Sequence, residues 1–171
     1  MQILEPQQFA TWQEPIEMLY ACHDKVRRFC HQLSLLPSYL ENNGVNQAVL
    51  NDVKIILQYF NQAAPLHHED EEKDFFPALM AKVPEAREKV KELEQQHEAL
   101  HESWHLLSEQ LTALMERKHD NVDIGSIQCF IAAYDNHLAI EEPLFEQGKV
   151  HLSTQELAEM GKIMSARRHK T

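Results

Sequence analysis

Glycine, cysteine and positive charge are all scarce in this chain, and each shortage narrows what the protein can be. Only 4 of the 171 residues are glycine, whereas helix-favouring residues such as alanine, leucine and glutamate are abundant. The formal net charge of −11 argues against nucleic acid or an anionic membrane surface as a partner, because both repel an acidic protein. We therefore expect an all-helical protein, and its length fits one domain.

Membrane-spanning and secretory features are also missing from the sequence. No apolar run approaches the roughly 18 to 20 residues that cross a bilayer. The start, MQILEPQQFATWQEP, has neither the basic beginning nor the apolar core of a secretory signal. The three cysteines Cys22, Cys30 and Cys129 form neither a CxxC pair nor an even set. We expect reduced thiols in a cytoplasmic protein.

Apolar residues recur every three or four positions in four long segments, which is the spacing of amphipathic helices. The first segment should end near Gly44, because glycine tolerates the backbone conformation that ends helices. Pro84 suits the first turn of the third segment, and the fourth segment should end near Gly148. Ser153 and Glu156 resemble a capping box for a short terminal helix.

The connections between these segments are short, so neighbouring helices should run antiparallel. We predict an up-down-up-down antiparallel four-helix bundle with a short C-terminal helix. The bundle should span about 15–148, after an N-terminal arm at 1–14. The C-terminal helix and tail should occupy about 153–171, so that 1–171 forms a single domain.

Histidine and glutamate recur on these helices in a pattern typical of metal ligands. Residues four positions apart lie one helical turn apart and point the same way. Most of these residues replace a hydrophobic residue that the periodicity requires, and unpaired charged groups are almost never buried. Counting along antiparallel helices places them in one layer, where bundles build metal sites. The predicted ligands are His23, His67, Glu71, His97, His101, His137 and Glu141.

The number and type of ligands restrict the metal. Seven ligands are too many for one four-coordinate zinc ion. Imidazole suits iron among other metals, and bridging carboxylates favour ions of higher coordination number. Two six-coordinate ions that share two carboxylates would use all seven ligands and leave room for a small molecule. A non-haem di-iron centre is the best match.

A ferritin-like di-iron protein is the nearest alternative. That class needs a Glu-x-x-His motif on each of two helices. Here every such motif lies on the third segment or at its end, and the second and fourth segments carry the reverse order, His-x-x-x-Glu. The pattern therefore disfavours this class. The four motifs are Glu94–His97, Glu98–His101, Glu102–His105 and Glu116–His119.

Four short stretches around the predicted ligands resemble a known family. They are HDKVRR at 23–28, HHEDEEKDFFP at 67–77, HEALH at 97–101 and HLAIEEPLF at 137–145. Together they are similar to the motifs of the hemerythrin-like family, the HHE cation-binding domain, over roughly residues 16–147. The resemblance implies a centre of two iron ions with an oxo or hydroxo bridge.

The resemblance also implies a distribution of the ligands between the two ions. One ion would be bound by His97, His101 and His137, the other by His23 and His67, with Glu71 and Glu141 bridging both. The second ion would keep an open position for O₂. Oxygen-carrying members use a shorter aspartate one residue further along than Glu141. This departure indicates the broader HHE branch, whose activities are diverse.

Three neighbours of the predicted ligands carry similar side chains. His68 and Glu72 form a second pair, turned by about 100° from the first, and we expect them at the boundary of the core. They would replace the first pair only if the helix turned about its axis. His105 drifts off the azimuth of the ligands, so we expect a supporting role or partial exposure.

The function expected from this site is that of a cytoplasmic metal protein more than of an enzyme. Its leading form is a di-iron protein that binds O₂ or another small diatomic or peroxide ligand, or senses oxygen or redox state. The alternative is a di-iron enzyme or repair factor that handles nitric oxide, peroxide or iron delivery. A third possibility is a metal-stabilised module that docks a protein partner.

Overall fold

The computed structural model describes residues 10–170, and within this range the protein is all-helical, with no strand, as predicted. The predicted arm at 1–14 lies mostly outside the described residues. No helix of the described part is long and apolar enough to span a membrane. The helices are α1 (Pro15–Asn43), α2 (Gln47–Gln58), α3 (Ala64–Asp70), α4 (Phe76–Lys82), α5 (Arg87–Met115), α6 (Ile124–His151) and α7 (Thr154–Arg168).

The second predicted segment is one helical run that two wider turns interrupt. π-helical turns occupy Tyr59–Ala63, between α2 and α3, and Glu71–Phe75, between α3 and α4. Such turns insert an extra residue into a helix and are frequent at functional sites. Pro65, which has no N–H to donate, follows the first turn closely. The two turns flank α3 and change which way its side chains face.

Several helix ends agree with the sequence prediction. α1 ends at Asn43, and Gly44 follows with a φ of 69° and donates its N–H to the carbonyl of Leu40. The capping box at the start of α7 is present, because Ser153 accepts from the N–H of Glu156 and the Glu156 carboxylate accepts in return. Local hydrogen-bonding chemistry therefore predicts these ends well.

The predicted end of the fourth helix is wrong, because α6 continues through Gly148 to His151. Gly148 is buried, and a Cβ atom there would lie 2.6 Å from Cε2 of Phe75. This glycine leaves space for a neighbouring ring and does not end the helix. Pro84 opens a short 3₁₀ turn, Pro84–Ala86, and α5 itself begins at Arg87.

The apolar core is divided into two clusters. The first includes Leu33, Phe60, Trp104, Leu107 and Phe130, and the second includes Leu19, Phe75, Phe76, Leu93 and Phe145. Five predicted ligands lie in sequence between the two clusters, and the other two, His101 and His137, lie at the edge of the first cluster. The five are His23, His67, Glu71, His97 and Glu141. α6 packs against α1 and α5, and α2 packs against α5. A polar layer therefore crosses the protein between two apolar ends, and we call it the metal layer.

Candidate metal centre

The metal layer holds a set of polar side chains that are almost completely buried, with exposed fractions of 0 to 4%. Six of the seven predicted ligands belong to it. The buried polar residues of the described part are His23, His67, His68, Asp70, Glu71, His97, His137 and Glu141. Histidine and glutamate at such burial need a partner, because desolvating a polar group costs free energy.

Four of these side chains form a first group that could hold a cation. One ligand atom from each of His23, His67, Glu71 and Glu141 lies within 4.8 Å of the others. His23 Nε2 makes a hydrogen bond of 2.8 Å with Oε1 of Glu141. His67 Nε2 lies 3.2 Å from Oε1 of Glu71. All four residues are buried, and we call them the sealed group.

Most polar atoms of the sealed group have no hydrogen-bond partner among residues 10–170. The atoms are His23 Nδ1, both ring nitrogens of His67, both carboxylate oxygens of Glu71 and Oε2 of Glu141. Each buried unsatisfied group costs about 1–3 kcal/mol. A bound cation would satisfy nitrogen and oxygen lone pairs together, so the donor set suits a metal of the kind that imidazole and carboxylate bind.

Three further histidines form a second group. Ligand nitrogens of His68, His97 and His137 also lie within 4.8 Å of one another. The rings of His68 and His97 are stacked, with centroids 3.9 Å apart and an angle of 13° between their planes. Nε2 of His97 and Nε2 of His137 are 3.2 Å apart. We call these residues the three-histidine group.

In the three-histidine group, each ring has its Nδ1 atom occupied by a side chain further out. Where the partner is an oxygen, Nδ1–H donates and Nε2 keeps a lone pair for a metal. Metal-binding histidines are commonly oriented in this way. The contacts are His97 with Glu72 Oε1 at 2.7 Å, His137 with Gln96 Oε1 at 2.8 Å, and His68 with His101 Nε2 at 2.9 Å.

Both buried glutamates reach both groups. Glu141 lies 2.8 Å from Nε2 of His23 through Oε1 and 3.2 Å from Nε2 of His137 through Oε2. Glu71 Oε1 lies 3.2 Å from Nε2 of His67 and 3.5 Å from Nε2 of His97. Carboxylates in this position can bridge two cations.

One predicted ligand, His101, lies outside both groups. Its side chain is exposed, and its Nε2 atom contacts His68. His68 itself is buried in the three-histidine group, so it is not the boundary residue that we expected. Glu72 does lie at the boundary, because its side chain is 40% exposed and its carboxylate contacts the buried His97. His105 is exposed, as expected for a residue off the stripe.

The sequence does carry a signal for His68, which is its place next to His67. Adjacent residues on a helix point about 100° apart, so His67 and His68 face different neighbours. The prediction treated His67 and His68 as alternatives for one ligand position. In the structure His67 belongs to the sealed group and His68 to the three-histidine group.

The two buried carboxyl groups differ strongly in acidity. Burial and the negative charge of Glu141 raise the pKa of Glu71 well above its ordinary value. Burial would also raise the pKa of Glu141, but its contacts with Glu71 and with His137 hold that pKa well below its ordinary value.

Two imidazoles of the layer favour the neutral form that binds metal. Burial and neighbouring imidazoles lower the pKa values of His67 and His68 well below the ordinary value. The pKa of His97 is instead raised, because its contacts with Glu141 and Glu72 outweigh burial. Neutral histidines offer a lone pair near neutral pH, which a metal requires.

Comparison with known proteins agrees with this geometry. Residues 14–147 match the family model described as Hemerythrin HHE cation binding domain. The matched range contains every residue of both groups. Over 168 residues the chain is also 62% identical to an uncharacterized protein of Haemophilus influenzae, and the match covers 98% of each chain.

Proposed function

Because the chain belongs to the hemerythrin HHE cation-binding domain family, we propose that its metal layer binds two iron ions within an up-down-up-down four-helix bundle. The single observation that carries this proposal is the pair of buried ligand groups, with both glutamates reaching from one group to the other. One ion alone would leave one group without a cation. An oxo or hydroxo bridge between the ions completes the proposed centre.

We propose the following assignment of side chains. His23 and His67 bind the first ion, His97 and His137 bind the second, and Glu71 and Glu141 bridge the two. The orphaned atoms of the sealed group support the first ion, and the oriented Nε2 atoms support the second.

The third imidazole of the second ion has two candidates. His101 is the ligand that the sequence predicts, and it stays a prediction. His68 has the better position, because it is buried beside His97 and has its Nδ1 atom against His101. We therefore propose that His68 binds the ion and that His101 holds the ring of His68 in place.

The small ligand that we propose for this centre is O₂ or another diatomic or peroxide, bound or sensed in the cytoplasm. In this assignment the first ion would have fewer imidazole ligands than the second, which would leave a position for the small ligand. Phe145 packs beside His23, with ring centroids 4.9 Å apart, and Phe75 packs on Phe145 at 5.3 Å. These apolar rings favour a neutral diatomic over water. A pair of iron(II) ions supplies two electrons to such an oxidant.

The alternative is an enzyme or repair factor that handles nitric oxide, peroxide or iron delivery. One observation favours it: the outer contacts of the three-histidine group lead to the surface. His101 is exposed, and the side chain of Glu72 is 40% exposed. Protons or iron could enter and leave along these residues.

Metal analysis and visible spectroscopy of the aerobically purified chain test the proposal. We expect two irons per chain and a charge-transfer band that disappears with dithionite and returns with air. Irreversible bleaching or turnover of peroxide would favour the alternative. One tightly held zinc, with no second ion after reconstitution with iron, would refute the two-iron centre.

A further inference from the structure

Charged residues join the C-terminal helix α7 to the metal layer. Arg168 binds both oxygens of Asp70, with Nη2 at 2.6 Å from Oδ2 and Nη1 at 3.1 Å from Oδ1. Arg167 binds Asp70 through Nη1 and lies 2.7 Å from Oδ2 of Asp74 through Nη2. We call these four residues the clasp. It is separate from both ligand groups.

Asp70 is the centre of the clasp and is only 1% exposed. A buried carboxylate is tolerated only when it is paired, and two guanidinium groups pair this one. A two-pronged contact between arginine and a carboxylate also sets the orientation of both groups. The clasp therefore positions the backbone at Asp70 as well as neutralising its charge.

The clasp holds the turn that carries Glu71. Asp70 is the last residue of α3, and Asp74 lies inside the π-helical turn Glu71–Phe75. Both oxygens of Glu71 lack a hydrogen-bond partner within residues 10–170. Among these residues, the side chain of Glu71 contacts other members of the metal layer, such as Nε2 of His67 at 3.2 Å, so its aim depends on the backbone of this turn.

α7 is itself held firmly against the protein. Arg168 lies over the ring of Trp12, 4.4 Å from its centroid, and Met164 is fully buried. At Gly161, an added Cβ atom would lie 1.6 Å from the carbonyl oxygen of Trp12, so the backbones meet there directly. The two arginines thus project from a rigid base.

We propose that the clasp is a positioning device that aims Glu71 at the metal layer and so sets how firmly the centre retains iron. This inference rests on the proposed two-iron function. Without the clasp, the π-helical turn can relax to a regular α-helix, and moving the register by one residue turns a side chain by about 100°. Glu71 would then no longer reach both ligand groups.

The rate of iron release tests this proposal. The full chain, loaded with iron(II), is mixed with an excess of a coloured iron(II) chelator at a temperature where all variants are folded. We expect the double variant Arg167→Ala/Arg168→Ala to release iron at least about tenfold faster, the size of effect typical of lost charge-assisted hydrogen bonds. In the aerobically purified, oxidised chain we also expect the charge-transfer band of this variant to shift, since a bridging ligand has moved.

Two variants that loosen α7 elsewhere serve as matched controls. Met164→Ala removes its buried packing, and Lys82→Ala removes its exposed ion pair with Glu156, whose atoms are 3.3 Å apart. Lys82→Ala does not touch the clasp, and Met164→Ala keeps the backbone carbonyl that accepts from Nη1 of Arg168 at 2.9 Å. Both should therefore release iron within about twofold of the native rate, even if Met164→Ala lowers the melting temperature. Arg167→Lys/Arg168→Lys keeps the charges without the fork and should fall between the native chain and the alanine variant.

Each outcome decides the proposal. If the double alanine variant releases iron at the native rate, or if Met164→Ala accelerates release equally, the clasp does not position Glu71. Should the double variant fail to fold, Asp74→Ala removes the carboxylate that accepts from Nη2 of Arg167 and leaves both arginines on Asp70, and an unchanged release rate in it would overturn the proposal. A native chain that binds no iron overturns the proposed function too, whereas two irons with unchanged release rates overturn the clasp alone.

Discussion

The two ligand groups of the metal layer both contain histidines, but only the sealed group contains carboxylates, and their surroundings differ. In the sealed group, histidine and carboxylate atoms are buried without hydrogen-bond partners in the described part of the chain. In the three-histidine group, each ring is oriented from behind by a residue nearer the surface. Protein contacts therefore pre-organise the three-histidine group, whereas we expect the sealed group to need a cation to satisfy its buried atoms.

Among the changes that test this difference between the groups, removing the metal should have the largest effect on stability. We expect the melting temperature to fall by roughly 10 °C or more, because ligands that bind only the native state stabilise it and the sealed group is left with unpaired buried atoms. Helix content should change little. Circular dichroism melts before and after chelation measure both quantities, and restoring iron is the control. Equal melting curves would mean that the layer does not bind metal in the core.

Removing either bridging glutamate should damage both groups together. We expect Glu71→Ala and Glu141→Ala each to weaken or abolish the binding of both ions, because each carboxylate lies near histidines of both groups. Iron content per chain measures the loss. Asp52→Ala, which alters an exposed carboxylate of the same run, is the control. Full retention of two irons by either core variant would contradict the bridging role.

Two neighbouring histidines separate the groups more finely. We expect His68→Ala to lower the iron content to about one ion per chain, because it removes a buried imidazole of the three-histidine group. We expect His101→Ala to keep two ions, since its ring lies behind His68. Iron analysis and the visible spectrum of both variants give the answer. The reverse result would establish His101 as the direct ligand that the sequence predicts.

The smallest effect should come from the residues that orient the rings. We expect Glu72→Ala to keep full iron content when iron is in excess, while affinity for the second ion falls about tenfold, as is typical when such a supporting partner is lost. Competition with a chelator of known affinity measures the change. His105→Ala, which alters an exposed histidine on α5, should leave affinity unchanged. A loss of all iron from Glu72→Ala would make Glu72 a ligand.

The sequence predicts the helices and most of the metal layer, for a physical reason. Helical periodicity assigns each residue a face, and His23, His97 and His137 stand where that face requires a hydrophobic residue. The same periodicity assumes an unbroken α-helix. It cannot reveal the π-helical turns on either side of α3, which are set by tertiary packing.

The two misplaced features, Gly148 and His68, depend on contacts between helices. Gly148 has the composition of a helix end, yet it lies where Phe75 needs space. His68 was predicted at the boundary because only one face of its helix was assumed to meet the metal layer. Spacing along one helix carries no information about a second neighbouring helix, which decides both cases.

The division of the apolar core by a polar layer has a consequence for folding cooperativity. Each long helix contributes to both apolar clusters, and polar side chains lie between them. Burying these polar side chains costs free energy unless a cation is bound. We expect bound metal to link the two clusters, so that they unfold as one unit. Without it, each end becomes its own unit of local unfolding, and amide hydrogens at the two ends should exchange with different opening free energies.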